Sequence, residues 1–230
     1  MSLITSVVFD LGNVLIDWDP RYLYRKLIPT ETDVEWFLEN ICDEKWNAKH
    51  DAGYPFSDGI AEHSKKFPQY SELIRAWFSR WEEMLGDPFE EVVEVLSTLK
   101  SSGISLYILS NWSAETYPVA ETRFDFLHWF DGKVISGETG MIKPDPNIYK
   151  LLMKTYGLTP QATTATAHSD LDKVFGSYSI TPINITVNYP GQPATKTVSN
   201  QYTFVLASAA TSATTAGGFP AFAGPVGDRP

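Results

Sequence analysis

The sequence predicts an α/β fold: an open parallel sheet with a helical insertion after its first strand. Three observations point there. A short apolar run, Ile4–Phe9, ends at Asp10, as a strand buried on both faces does. About 80 mostly helical residues follow it. Helix, strand and helix then alternate as far as Gly157, the order expected of a parallel sheet whose crossovers cover its faces. An insertion of that size suggests a cap over the carboxyl ends of the strands, where ligands bind in such sheets.

The elements can be justified in turn. Pro20 to Ile28 reads as a helix with proline in its first turn. Thr32–Asn40 sets Val34, Phe37 and Leu38 on one face. Helices are expected near Asp58–Phe67 and over Ser71–Leu85. In the second, Trp77, Phe78 and Trp81 read as the core of the insertion rather than as a substrate platform. Pro88–Leu99 is a further helix, stopped by Gly103. Ile104–Leu109 is a second buried strand that runs into Ser110 and Asn111, and Lys133–Ser136 is a shorter third. Asn147–Tyr156 is a helix closed by Gly157. The expected organisation is a core of residues 1–16 and 88–160, extending at most to about 180. Residues 17–87 form the cap, and 161–230 form a divergent segment.

Composition excludes several classes. The 230 residues carry a formal charge of −10, against a nucleic-acid-binding face. A lone cysteine, Cys42, leaves no intramolecular disulfide and no cysteine zinc site. No apolar run is long enough to span a membrane, and the first residues lack the basic start of a signal peptide. A cytoplasmic setting is expected. Texture changes near residue 160. All seven tryptophans precede it, and Ala, Ser and Thr make up 28 of the 70 residues that follow. From Ala207 to Pro230 the chain reads as a weakly ordered tail.

The chemistry-bearing residues sit at the predicted strand ends. Asp10 at the mouth of a buried strand can act as a nucleophile, a metal ligand or the cap of a turn. Gly12 lets its backbone carbonyl approach a cation or substrate, or simply permits the turn. Ser110 and Asn111 can hydrogen-bond a phosphate oxygen or cap a helix. Lys143 lies in a short loop between Gly140 and Pro144. There it can neutralise both Asp10 and a bound phosphate, or remain a solvated lysine. The four histidines, His50, His63, His128 and His168, are too scattered to make a ligand set.

Three segments in order, VVFDLGNVLIDWDP, LYILSNW and GMIKPDPNIY, together resemble the haloacid dehalogenase superfamily. The likeness is to its glucose-1-phosphatase-like branch with a small helical cap, and it covers about residues 4–160. It implies a Rossmann-like core and a phosphatase working through a covalent aspartyl-phosphate with Mg²⁺ as cofactor. Asp10 would be the nucleophile and a metal ligand, and Gly12 would lend its backbone carbonyl to the metal. Ser110 would hold the transferring phosphoryl, with Asn111 and Gly12 as further substrate contacts. Lys143 would pair with Asp10 and the phosphate. The implied partner is a small phosphorylated metabolite.

The sequence departs from that pattern twice. Where many such phosphatases carry a second Asp, two residues after the nucleophile, this chain has Gly12, so the general acid is unassigned. The family's fourth motif, an apolar strand ending in two acids, should fall near Ala167 and His168. The segment Thr163–Asp172 offers neither an apolar strand nor an acid pair at that place. Asp170 and Asp172 come later; either could complete the metal site, and the expected reading is solvated or capping residues. Beyond them, Ile180–Val187 and Tyr202–Leu206 read as antiparallel β. Two alternatives stand beside the phosphatase. One is a 2-haloacid dehalogenase, in which Asp10 attacks carbon without a metal. The other is an inactive scaffold that lacks the fourth motif.

Overall fold

The computed structural model describes residues 4–159 and the strand segments 163–166, 186–187, 196–197 and 203–205. Its centre is a five-stranded sheet in the order β5-β4-β1-β6-β9. The strands are β1 (Ser6–Phe9), β4 (Ser105–Ser110), β5 (Gly132–Ile135), β6 (Thr163–Thr166) and β9 (Thr203–Val205). The first four run parallel, and β9 closes the edge antiparallel to β6.

Alternation along these strands feeds two cores. Val7 and Phe9 of β1, Leu106 and Ile108 of β4 and Ile135 of β5 face one side. Val8, Leu109 and Val134 face the other. Successive strand side chains point to opposite faces, so continuous apolar runs are what two covered faces require. Helix α6 (Glu90–Ser101) packs on the first face through Val92 and Leu96. Helix α9 (Pro146–Tyr156) packs on the second through Ile148, Tyr149 and Leu152. It starts at Asp145, whose carboxylate accepts from Asn147 N, and stops at Gly157 with φ of 64°, the left-handed closure a glycine tolerates best. Helices α7 (Tyr117–Arg123) and α8 (Ser136–Thr139) follow β4 and β5.

Two short strands, β2 (Ile16–Trp18) and β3 (Leu85–Pro88), pair antiparallel. Between them lie α1 (Arg21–Tyr24), α2 (Glu31–Asn40), α3 (Glu44–Asp51), α4 (Phe56–Lys66) and α5 (Ser71–Ser79). This is the long helical insertion. Its interior is aromatic: Trp77 meets Trp46 edge-on at 5.3 Å, and Tyr24 lies 4.7 Å from Phe37. A further two-stranded ribbon pairs β7 (Thr186–Val187) with β8 (Lys196–Thr197).

Several expectations need correction. The helix expected over Ser71–Leu85 ends at Ser79; a 3-10 turn spans Trp81–Met84, and Leu85 opens β3. Pairing with β2 supplies backbone bonds that a continued helix would have to forgo. Phe78 sits at the rim of the aromatic core, 38% exposed but stacked on buried Phe56 at 4.9 Å, while Trp77 and Trp81 are buried. Helices α3 and α7 and the β2–β3 ribbon were not legible as elements. Pro88 lies in β3 and α6 begins at Glu90.

The polar segment Thr163–Thr166 does form a strand, in register with β1 through Ser6–Thr163 and Val8–Ala165. The open edge of β1 needs hydrogen-bond partners, and threonine suits a pleated surface despite its hydroxyl. Parts of the two antiparallel expectations beyond it match β7 and β9. Asp170, Asp172 and the tail 207–230 lie outside the described residues.

Trp77 is 2% exposed at the centre of the insertion. Truncation to alanine should cost about 3–5 kcal/mol, read from urea unfolding curves. A loss below about 1 kcal/mol would contradict so tight a core.

Candidate active site

The parallel register sets the site. Phe9 pairs with Ile108, and Ser110 pairs with Ile135. The residues that leave β1 and β4, Asp10 and Asn111, therefore emerge side by side at the carboxyl edge of the sheet. The Asp10 carboxylate is held on both oxygens. Oδ1 accepts from Leu11 N at 2.9 Å and from Ser110 Oγ at 3.0 Å. Oδ2 pairs with Lys143 Nζ at 2.6 Å, and both side chains are only 14% exposed. A partly buried, charge-assisted contact of that length is among the stronger polar interactions in proteins.

Lys143 arrives from the loop between α8 and α9. Asn111 fastens that loop: its Oδ1 accepts from Lys143 N at 2.7 Å, and its Nδ2 donates to Lys143 O at 2.9 Å. The ammonium also donates to Leu109 O at 3.0 Å. Asn111 is thus engaged in placing the lysine. Gly12 follows Asp10 at the sheet edge, and a Cβ there would meet nothing within 4 Å. The next residue, Asn13, takes φ of 56° and lets the chain turn toward β2.

Sequence-predicted residues Asp10, Gly12, Ser110, Asn111 and Lys143 therefore form one cluster. The described histidines do not join it, and His168 lies outside the described residues. His50 is fully buried, bonded through Nδ1 to Tyr54 O at 2.9 Å and stacked on Phe56 at 4.0 Å. His63 Nε2 meets Ile41 O. Asp17 accepts from the Tyr22 hydroxyl at 2.5 Å, and Asp19 accepts from Arg21 N at 2.9 Å. Among the described residues no group of three or more His, Cys, Asp or Glu side chains could hold a metal. The donors beside one another at Asp10 and Gly12 are a carboxylate and a backbone carbonyl. Hard oxygens of these two types suit a Mg²⁺-type cation, which is commonly held by one or two carboxylates, water and substrate phosphate.

Sequence reasoning missed the floor of the insertion. A cavity of about 80 Å³ adjoins the cluster at Gly12 and Asn111. Asn47, Asp51 and Phe56 close it from the insertion, and Trp18, Trp81 and Trp112 form its apolar walls. The insertion is anchored beside it. Ser136 Oγ donates to Asp51 O at 2.5 Å and accepts from Trp112 N at 2.9 Å. Phe56 N donates to Glu115 Oε1 at 2.8 Å. Gly53 has φ of 92°, and a Cβ on it would stand 2.9 Å from Gly137 O, so the two segments meet backbone to backbone.

Asp51 ends α3 with its carboxylate at this junction. Oδ2 accepts from Asn47 Nδ2 at 3.0 Å. Burial pushes the carboxyl up to about 7, opposed by a hydrogen bond from the Ser113 backbone. An unfolded aspartate titrates near ~4. Between those values the folded chain keeps a proton that the unfolded chain has released. Stability from this group is therefore complete below about pH 4 and falls away as the pH rises toward 7. Asp51→Asn should remove that loss. Its stability relative to wild type should grow between about pH 5 and pH 8, by at most about 4 kcal/mol, in urea unfolding at each pH. Parallel stability curves would contradict a buried carboxyl.

Comparison with known proteins agrees with this geometry. A family model for haloacid dehalogenase-like hydrolases matches residues 4–166. The chain is 23% identical over 176 residues to the sesquiterpene phosphatase astK of Aspergillus oryzae, covering 76% of this chain and 85% of that one. It is 23% identical over 158 residues to a phosphorylated carbohydrates phosphatase of Thermotoga maritima, covering 68% and 72%. A HAD family enzyme from Bacteroides thetaiotaomicron superposes with a TM-score of 0.57 at 20% identity, over 74% of this chain and 87% of that one. The same enzyme has also been solved as a magnesium complex. Sheet order, the Asp10 cluster and the family match converge: this chain belongs to the haloacid dehalogenase-like hydrolases.

Proposed function

We propose that the chain is a Mg²⁺-dependent phosphatase of small phosphorylated metabolites, working through an aspartyl-phosphate on Asp10. The observation that carries this reading is the Asp10–Lys143 pair at 2.6 Å, with Ser110 on the other carboxylate oxygen. Phosphoryl transfer asks mainly for positioning and charge neutralisation. This cluster offers a fixed anionic nucleophile, a cation beside it and a hydroxyl donor. The two named phosphatases among its relatives support the same class. We assign residues 17–87 as the cap and residues 1–16 and 88–160 as the core.

In the first step an Asp10 oxygen bonds to phosphorus as the bond to the leaving oxygen breaks. Lys143 holds Asp10 in place and offsets the negative charge that gathers between carboxylate and phosphoryl group. Ser110 donates to the carboxylate in the resting site and is placed to turn its hydroxyl to a phosphoryl oxygen. Asn111 keeps the lysine loop against the end of β4. In the second step water attacks phosphorus, the bond to Asp10 breaks, and phosphate leaves with the carboxylate restored. Asp10 and the Gly12 carbonyl would hold Mg²⁺. When bound, the ion neutralises phosphoryl oxygens.

Phosphate release from nitrophenyl phosphate and a panel of sugar phosphates, with and without Mg²⁺, tests the reading. Turnover should require Mg²⁺. It should fall at least about 10³-fold in Asp10→Asn and about 10²-fold or more in Lys143→Ala. Turnover no greater than that of Asp10→Asn, in folded protein, would overturn it. Metal-independent chloride release from a chloropropionate would instead identify a dehalogenase.

A further inference from the structure

We infer that Asp51, carried by the cap helix α3, is the proton donor to the leaving group. The inference rests on the phosphatase reading. Two residues past Asp10 the side chain is absent, and the space beside Gly12 is open. That space leads into the cavity shared by Gly12, Asn111 and Asp51. Among the residues that line it, Asp51 is the only one with an ionisable carboxyl or amine. The Ser113 backbone hydrogen bond brings its carboxyl to the loop that leaves β4.

The placement is rigid rather than incidental. Asp51 O is bonded to Ser136, which also holds Trp112 N. The next turn, at Gly53, lies against the Gly137 backbone. A side chain mounted on so short a link between cap and core keeps a constant position over the reacting end of the sheet. Trp18, Trp81 and Trp112 form the apolar walls of the cavity around that carboxyl.

The proton balance closes. As the phosphorus–oxygen bond of the ester breaks, the leaving alkoxide takes the proton of Asp51 and departs as an alcohol. Water then enters from the side the alcohol has vacated. The Asp51 carboxylate takes one of its protons as the oxygen bonds to phosphorus, and Asp10 is released. Burial, which holds the carboxyl near 7, leaves it able to give the proton in one step and recover it in the next.

Leaving-group dependence separates this role from a structural one. A dinitrophenolate departs without a proton, whereas an alkoxide needs one. Asp51→Asn and wild type are compared on dinitrophenyl phosphate and on an alkyl phosphate such as a glycerol phosphate, beside Asp10→Asn, with melting curves as the folding control. The loss of kcat/KM in Asp51→Asn should be at least about 30-fold greater for the alkyl ester. Asp51→Glu should recover part of it. Equal losses on both esters, or no loss on the alkyl ester, overturn the proton-donor role while leaving the phosphatase reading intact. Wild-type turnover of both esters no greater than that of Asp10→Asn overturns the two together.

Discussion

Everything at the reactive edge depends on the ion pair between Asp10 and Lys143. The partners are 133 residues apart in the chain, Asp10 directly after β1 and Lys143 in the loop between α8 and α9. Neither charge could lie 14% exposed without the other, because an unpaired charge at that depth would be strongly destabilising. The pair therefore constrains the backbone around it. Lys143 must reach Asp10 from the α8–α9 loop. Asn111 makes that approach reproducible by bonding the N–H and the carbonyl of the lysine residue together. An interaction that neutralises the resting carboxylate is also one that can accept the extra negative charge of a phosphoryl group.

The second constraint is the way the helical insertion meets the sheet. Backbone-to-backbone contact at Gly53 and Gly137, and the shared hydroxyl of Ser136, leave no side-chain cushion between them. Such contacts transmit position with little slack. They bring a carboxyl group, Asp51, to a place where burial disfavours its charge at neutral pH. A protein selected for stability alone would have a neutral side chain there.

The far edge shows a different compromise. Strand β6 is Thr-Thr-Ala-Thr, yet it pairs with β1 over three registered positions and is itself covered by β9. Backbone hydrogen bonding is indifferent to side-chain polarity, so a strand can be completed by a segment that apolar patterning alone would pass over. Thr163 is buried there, with no partner for its hydroxyl among the described residues.

Local information determined a good deal by itself. Continuous apolar runs before Asp10 and Ser110 marked strands buried on two faces, and their alternation needs no tertiary knowledge to interpret. Gly157 after Tyr156 marked the end of α9 by capping chemistry, whereas its start at Asp145 was shown by the structure. The grouping of Asp10, Ser110 and Lys143 came from the resemblance carried by three motifs in order, since each residue alone also suited a turn, a helix cap or a solvated lysine. Tertiary structure decided the rest. Whether Ser71–Leu85 stays helical depends on β2, which lies more than 50 residues earlier. The strand character of Thr163–Thr166 depends on the open edge of β1. Asp51 carries no motif at all, since its meaning comes from Ser113, Ser136 and Gly12, which the fold alone brings beside it. Short-range patterns record hydrophobicity and turn chemistry, whereas long-range pairing and desolvation exist only once the chain has closed on itself.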